Sequence, residues 1–390
     1  MTNPSWDEEE PRPIAANTGG PVDPNDHIGH DDELEQALIS TDSVGALLTG
    51  DRRMGKTSLL RKVESLLCRD HVVLRVSAET GSIELFADRL LNTLRRTSTF
   101  AKELENWHVS VDVGYHGFRL QRTPTVKSQQ ASTTDDLFSW AAKKAAPRKL
   151  IVIIDEITVL AQAVENTNPG GALELLRNLR RPRQELDNVV VLLAGSVGLH
   201  HATSDFAPLN DLRKVRVGAL ELPAGKYLAR CLLLGEGVPA SDERAVAEAI
   251  YREADGIAYY IHNLVASARR HGGVLQPQTV AELRQQALVD PDDPWDLRHY
   301  DRRIDDYYGE RSALVRHVLD IFATASAPLT VTDLAAHLLA VEMSRRPSRD
   351  ELLLLLEQLE ADHYLLRSGD TDTIASTIIR DAWRSIRRLG

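Results

Sequence analysis

The eight residues GDRRMGKT, Gly50 to Thr57, have the spacing G-x-x-x-x-G-K-[ST]. An apolar run, VGALLTG, leads into them, and KTSLLRKVESLLC, with apolar residues at helical spacing, leads out. A turn of this kind points successive backbone N–H groups inward as a cradle for phosphate oxygens. The helix that follows aims its positive dipole end at the same anion. Lys56 brings a compact charge to the outer phosphates, and the Thr57 hydroxyl is a ligand for Mg²⁺. Gly50, Asp51, Arg52, Arg53, Met54, Gly55, Lys56, Thr57 and Ser58 are therefore the phosphate-binding candidates. A glycine loop can arise by chance between a strand and a helix, but this one lies in the context the chemistry demands. A second signal is KLIVIIDEITVL, an apolar strand ending in Asp155-Glu156. A carboxylate there faces the phosphate loop and can hold the metal through water, which assigns Asp155 to Mg²⁺ beside Thr57. Glu156 is then the general base for an attacking water, a role worth about 10²–10⁴-fold in rate. A third run, NVVVLLAGS, ends at Ser196, whose hydroxyl either senses the terminal phosphate or caps a helix or turn. Downstream, NDLRKVRVGALEL carries Arg213, Lys214 and Arg216. One of them could reach a phosphate in its own chain or in a neighbour; plain solvated charge is the alternative for each.

Positioning these groups requires a sheet. VGALLTG, HVVLRVSA, KLIVIIDE and NVVVLLAGS are continuous apolar runs of the kind buried on both faces. Amphipathic segments lie between them: KTSLLRKVESLLC, SIELFADRLLNTLRRT, TDDLFSWAAKKAA and ALELLRNLRRPRQEL. The alternation predicts an α/β fold, a P-loop αβα sandwich with a parallel sheet, over residues 26–222. Residues 1–25, rich in Pro, Gly and acid, read as a mobile, disordered tail. Residues 108–122 alternate with period two and predict an inserted β-hairpin, followed by a polar loop over 123–135. Helical patterns fill 223–291, and the prolines and acids of DPDDPWD mark a linker over 292–311. Residues 312–390 read as three helices, a hairpin and a final helix, the winged-helix arrangement.

The 390 residues suffice for two or three domains. A formal net charge of −11 argues against general adhesion to nucleic acid, which needs a basic face. Cys68 and Cys231 lie in apolar helical patterns and are expected as buried free thiols in a reducing compartment. The acidic start carries no signal peptide, and no apolar run approaches the ~18 residues needed to cross a bilayer. A soluble cytoplasmic protein with no membrane partner is the expectation.

HIGHDDELEQAL (27–38) resembles the opening motif of AAA+ and STAND nucleoside triphosphatases, in which an apolar-Gly-Arg stretch with a nearby Glu precedes the phosphate loop. With LLTGDRRMGKTSLL, IVIIDEI, VVVLLAGS and the winged-helix end, residues 27–390 resemble the archaeal-type ATPases of that superfamily. Origin-recognition proteins and ATPases of transposition and defence systems are more distant relatives. The resemblance implies ATP with Mg²⁺, adenine beside Ile28 and Gly29, a helical lid at 223–291, and nucleotide control of lid and winged-helix placement. It also implies an arginine supplied by a neighbouring subunit, a task for which Arg213 is suitably spaced, and with it a homo-oligomer. The sequence departs from the pattern at His30, where arginine is usual, and at Ala258 of DGIAYY, where proline is expected. No arginine opens the helix at Ala258, so slow turnover is expected. The chain stops without the repeat sensor of STAND switches, so any effector or sensor is expected on another polypeptide.

The candidate DNA-reading helix, RDELLLLLEQLEADH, is expected to expose Glu351, Glu357, Glu360 and Asp362, and acid repels phosphate. Arg345, Arg346 and Arg349 precede it, and Arg384, Arg387 and Arg388 end the chain, so a basic edge is allowed. Its five consecutive leucines suggest packing on more than one side. The favoured reading is an ATP-hydrolysing molecular switch that controls a partner protein, in anti-phage defence or mobile-element biology. The alternative is an ATP-dependent DNA-binding regulator or loader using the winged helix. A small-molecule phosphotransferase shares the loop, but the trailing helical modules offer it no evident acceptor pocket.

Overall fold

The apolar runs form the centre of a parallel sheet. In the computed structural model, which describes residues 6, 8–79, 82–104, 107–112, 117–122, 134–196, 198–341 and 345–389, the chain divides into two units, Pro21–Val217 and Met1–Gly20 with Gly218–Gly390. Pro21–Val217 runs α1 (Asp31–Ser40), β1 (Gly45–Thr49), α2 (Lys56–Leu67), β2 (Val72–Ser77), α3 (Ile83–Arg96), β3 (Trp107–Asp112) and β4 (Gly117–Arg122). It continues through β5 (Thr134–Asp136), α4 (Leu137–Ala145), β6 (Leu150–Asp155), α5 (Ile157–Thr167), α6 (Gly171–Glu185), β7 (Val189–Gly195) and β8 (Arg213–Arg216).

The main sheet has the order β2-β6-β7-β1-β8 with every neighbour parallel. Alternation along each central strand feeds two cores. Leu150, Val152 and Ile154 of β6 join the residues of α3 to α6, while Ile151 and Ile153 face those of α1 and α2. Strands buried on both faces must be apolar throughout, which is why these runs show no period. β8 escapes a reading of that kind because only Val215 is buried in it. The insert is a second sheet, with β3 and β4 antiparallel from Trp107↔Arg122 to Asp112↔Gly117 and β5 beside β4. The hairpin's turn, 113–116, and most of the expected polar loop, 123–133, lie outside the described residues. Phe118 fixes the insert by packing tilted against Phe86 of α3 and edge-on against Phe138 of α4, with ring centroids 5.5 and 5.9 Å away.

The other unit contains α7 (Leu222–Gly235), α8 (Glu243–Glu253), α9 (Ala258–His271), α10 (Pro277–Val289), α11 (His299–Tyr308) and α12 (Ser312–Thr324). After them come β9 (Leu329–Thr330), α13 (Val331–Leu338), α14 (Arg349–Ala361), β10 (Leu365–Ser368), β11 (Thr371–Ile374) and α15 (Thr377–Arg387). Its small antiparallel sheet has the order β10-β11-β9. Thr330 and Ser348 each form a reciprocal capping box, which sets the starts of α13 and α14. Asp255 accepts from the Thr377 hydroxyl (2.7 Å) and the Ile378 amide (2.8 Å), so a turn before α9 caps the last helix.

Five expectations need correction. Residues 9–17 are not a loose tail: their backbone is hydrogen-bonded to groups of α7, Glu236 and α9. The stretch read as linker is packed, because Trp295 lies on Tyr260 (centroids 5.0 Å apart) and α11 buries Tyr300 and Ile304. In α14, Leu352, Leu355, Leu356 and Leu359 are buried but Leu354 is exposed, so one face packs; Asp362 is buried and accepts from the Tyr308 hydroxyl at 2.6 Å. Cys68 is exposed at the end of α2, and Cys231 is buried. Among the described residues no helix is long and apolar enough to cross a membrane.

A buried cation holds the stretch that leads into β8. The Arg183 side chain on α6 is fully buried and donates to Asp211 Oδ1 (2.8 Å), Asp211 Oδ2 (3.2 Å) and the Pro208 carbonyl. Burial pushes the Asp211 carboxyl up, but the Arg183 hydrogen bond and charge outweigh it and leave it below the usual range. Arg183→Met should cost about 3 kcal/mol, the low end for breaking a buried pair, since Asp211 keeps some solvent. The stability that a depressed carboxylate contributes is present above its unfolded pKa and is lost as pH falls through the folded one. Urea unfolding should therefore show the gap between wild type and variant narrowing as pH drops through the acid range. An equal gap at all pH values would contradict this account of the pair.

Candidate functional site

The phosphate loop is shaped by what presses on it. Val217 N–H donates to the Thr49 carbonyl at 2.7 Å and clamps the end of β1. A Cβ at Gly50 would stand 2.2 Å from the Val217 carbonyl oxygen, so only glycine lets the chain leave the strand here. Gly55 opens α2 at φ 99°, a left-handed conformation that favours glycine, and a Cβ there would come within 3.2 Å of His30 Cε1. The loop between them closes over Lys56, which is 4% exposed. Its ammonium donates to the carbonyls of Gly50 (2.9 Å) and Asp51 (2.8 Å). Asp51 is buried, and its carboxylate accepts from the Arg52 amide at 2.8 Å. Arg52 is exposed, while Arg53 and Met54 are half-buried.

The acidic pair meets this loop directly. Ile154 and Leu47 both register with Leu193, so β6, β7 and β1 end at the same level. Thr57 Oγ1 donates to Asp155 Oδ2 at 2.7 Å, and Asp155 Oδ1 accepts from the Glu156 amide at 3.1 Å. Two oxygens in contact at the start of α2, one of them a carboxylate, form the hard donor set that suits Mg²⁺. Glu156 adopts φ 58° and ψ 41°, an uncommon conformation for a non-glycine residue, as the chain turns from strand to helix. Its Oε2 accepts from Ser196 Oγ at 2.8 Å. That pairing depends on close packing of α5 against β7, since a Cβ at Gly195 would lie 2.3 Å from Thr158 Cγ2. Burial raises the Glu156 pKa, and nearby Asp155 adds to it; the charge of Lys56 and the Ser196 hydrogen bond oppose the rise without cancelling it.

Lys56, Thr57, Asp155, Glu156 and Ser196 are thus brought together. Ser58, one residue further along α2, accepts instead from the Val22 amide at 3.2 Å. Ile28 is buried, Gly29 has φ 74°, and the next residue, His30, sets its ring against Gly55. Arg213 is not part of the cluster in its own chain. It pairs with Ala46, three residues and about 10 Å back along β1 from Thr49, and is exposed on the edge strand. Arg216, paired with Thr49, is the cation at the loop end of that strand. Sequence reasoning passed over Val217, Thr158 and His27. Val217 acts through its backbone and Thr158 by contact, and neither carries a spacing signal. His27, whose ring centroid lies 6.0 Å from that of His30, has its pKa lowered to about 3 by burial, then by His30 and Lys62. It is therefore neutral beside the loop's flank.

The comparisons agree with this geometry. Residues 41–202 match the family model described as an AAA domain. The whole chain is similar to the Walker-type ATPase of Pyrococcus abyssi at 19% identity, over 95% of this chain and 100% of that one, with a TM-score of 0.65. It is also similar to the Aeropyrum pernix ORC2 protein, solved as ADPNP–ADP complexes, at 14% identity, over 98% and 97% of the two chains, with a TM-score of 0.54. No curated protein sequence matches it. At these identities the likeness is one of fold. Residues 41–202 thus match the model of an AAA domain, and the chain has the fold of that Walker-type ATPase and that ORC2 protein.

Proposed function

We propose that this protein binds ATP with Mg²⁺, hydrolyses it slowly, and uses the cycle as a switch that controls a partner protein. The observation that carries the reading is the convergence of Lys56, Thr57, Asp155, Glu156 and Ser196 at one end of the sheet. Lys56 exchanges its bonds to loop carbonyls for bonds to the outer phosphates, so the charge is already in the cradle when the anion arrives. Thr57 and Asp155 would hold Mg²⁺, which when bound neutralises charge on the phosphates. Glu156, raised in pKa yet accepting from Ser196, takes a proton from the attacking water. A serine has one proton to donate, so Ser196 cannot serve Glu156 and a terminal phosphate at once. Engagement of the base by Ser196 fits slow turnover. Adenine beside Ile28 and Gly29 fits their place next to His30, whose ring lies against Gly55.

For the partner, we read α12–α15 with β9–β11 as the winged helix, used to dock protein. Several of its arginines are bound to its own acids: Arg345 to Glu351, Arg367 to Asp372, Arg387 to Asp320. Guanidinium groups held this way are poorly placed to neutralise a phosphate backbone, which weighs against the DNA-loader reading. Arg213, exposed and remote from its own loop, would complete the site of a second copy in a homo-oligomer.

Lys56→Ala should abolish ATP binding in calorimetry while circular dichroism stays unchanged; retained affinity would remove the phosphate-loop assignment. Glu156→Gln should keep ATP bound and lower turnover by about 10²-fold or more, measured as phosphate release. Because the base must be unprotonated and its pKa is raised, kcat/KM should fall with decreasing pH on a limb above the ordinary carboxylate range. An acid limb at or below that range would show that another group accepts the proton.

A further inference from the structure

Residues 9–23 have few apolar groups and form no helix or strand, yet their backbone is held at many points. In the unit of Met1–Gly20 and Gly218–Gly390, the Glu9 carbonyl accepts from Arg230 (3.1 Å) and the Glu10 carbonyl from the Tyr227 hydroxyl (3.3 Å). The Ile14 amide donates to the Cys231 carbonyl (3.1 Å), the Ala16 amide to Glu236 Oε1 (2.7 Å) and the Asn17 amide to His262 Nδ1 (3.1 Å). Ile14 is 3% exposed, and a Cβ at Gly235 would lie 2.0 Å from its carbonyl oxygen. The last residue of α7 is thus bare where this segment passes.

In the unit of Pro21–Val217 the same segment has separate anchors. The Val22 amide donates to Ser58 Oγ (3.2 Å), and Lys62 Nζ donates to the Pro24 carbonyl (2.9 Å). Both acceptor and donor side chains belong to α2, and Ser58 adjoins Thr57. From Asn17 to Val22 the chain advances five residues, a reach of at most about 18 Å. Slack is taken up within that stretch, because Asn17 Oδ1 accepts from the Gly19 and Gly20 amides, each at 3.1 Å. Pro21 stiffens its end.

We propose that residues 9–26 are a strap, a covalent connection additional to the one at Val217–Gly218, that couples α7 and α9 to the phosphate-loop helix α2. While both sets of anchors hold, Asn17 and Val22 cannot part by more than the reach of that stretch. On this proposal a shift of α9 is passed along the segment to Ser58, and a rearrangement of α2 on binding a phosphate is passed back to His262. The effect on nucleotide rests on the ATP reading above; the coupling of the two anchors does not.

Gly235→Ala tests it in the full-length protein, because alanine favours the helix and disturbs only the seat of the strap. Ile14→Asp attacks the same anchor from the strap's side. Hydrogen exchange read at the amides of Ile14, Ala16, Asn17 and Val22 should show all four protected in wild type. Each variant should speed exchange at the first three by about tenfold or more, as expected for local opening, and should speed Val22 as well. Release of bound ATP, followed with a fluorescent analogue, should change at least about threefold in both variants, as coupling predicts. The proposal is overturned if neither variant loosens residues 14–17. It is equally overturned if they loosen while Val22 and α2 exchange as in wild type. If the analogue does not bind even to wild type, the ATP reading fails, and the exchange data still decide the strap.

Discussion

A buried ammonium must be met by oxygen, and in this chain Lys56 is met by the carbonyls of Gly50 and Asp51. Those carbonyls can reach it because the loop turns back on itself, and the loop can turn because two positions lack a side chain. Gly50 has to clear the Val217 carbonyl, and Gly55 has to clear the His30 ring. The edge strand β8 and the segment before α1 are therefore both part of the phosphate site, although neither supplies a group that would touch phosphate. The same constraint explains the sheet order. With β1 between β7 and β8, one neighbour ends at Ser196, which bonds Glu156, and the other leads to the clamp at Thr49.

From Lys56 the polar groups run onward through Thr57, Asp155, Glu156 and Ser196, each bonded to or facing the next. The strained turn at Glu156 lets one strand end present two carboxylates to different partners. Asp155 meets the helix that follows the loop, and Glu156 meets the strand beside it. Ser196 has one proton, and that makes the hydrogen bonding of Glu156 dependent on whatever else calls on the hydroxyl.

Much of this was legible in the sequence. The loop, the acidic pair and Ser196 each close a short apolar run, and runs that short between amphipathic helices read as strands buried on two faces. β8 was not legible, because an edge strand with one buried valine among three cations has no apolar run. Without it the register of Arg213 could not be known, and that register separates Arg213 from its own loop. The N-terminal segment and the stretch before α11 were misread for a shared reason. Composition counts side chains, whereas residues 9–17 are held by backbone hydrogen bonds, and the stretch at 292–311 by a few large rings such as Trp295 and Tyr300. Asp362 was misplaced because helical spacing could not reveal that Tyr308 reaches it.

The central claim is that the loop holds the Lys56 ammonium on its own carbonyls and that Lys56 gives up those bonds to phosphate. A crystal structure of the protein with a non-hydrolysable ATP analogue and Mg²⁺ tests this most directly. The account predicts Lys56 Nζ released from the Gly50 and Asp51 carbonyls and bonded to outer-phosphate oxygens, with Thr57 and Asp155 at the metal. Nucleotide bound elsewhere, or bound here with Lys56 still on its two carbonyls, would contradict it.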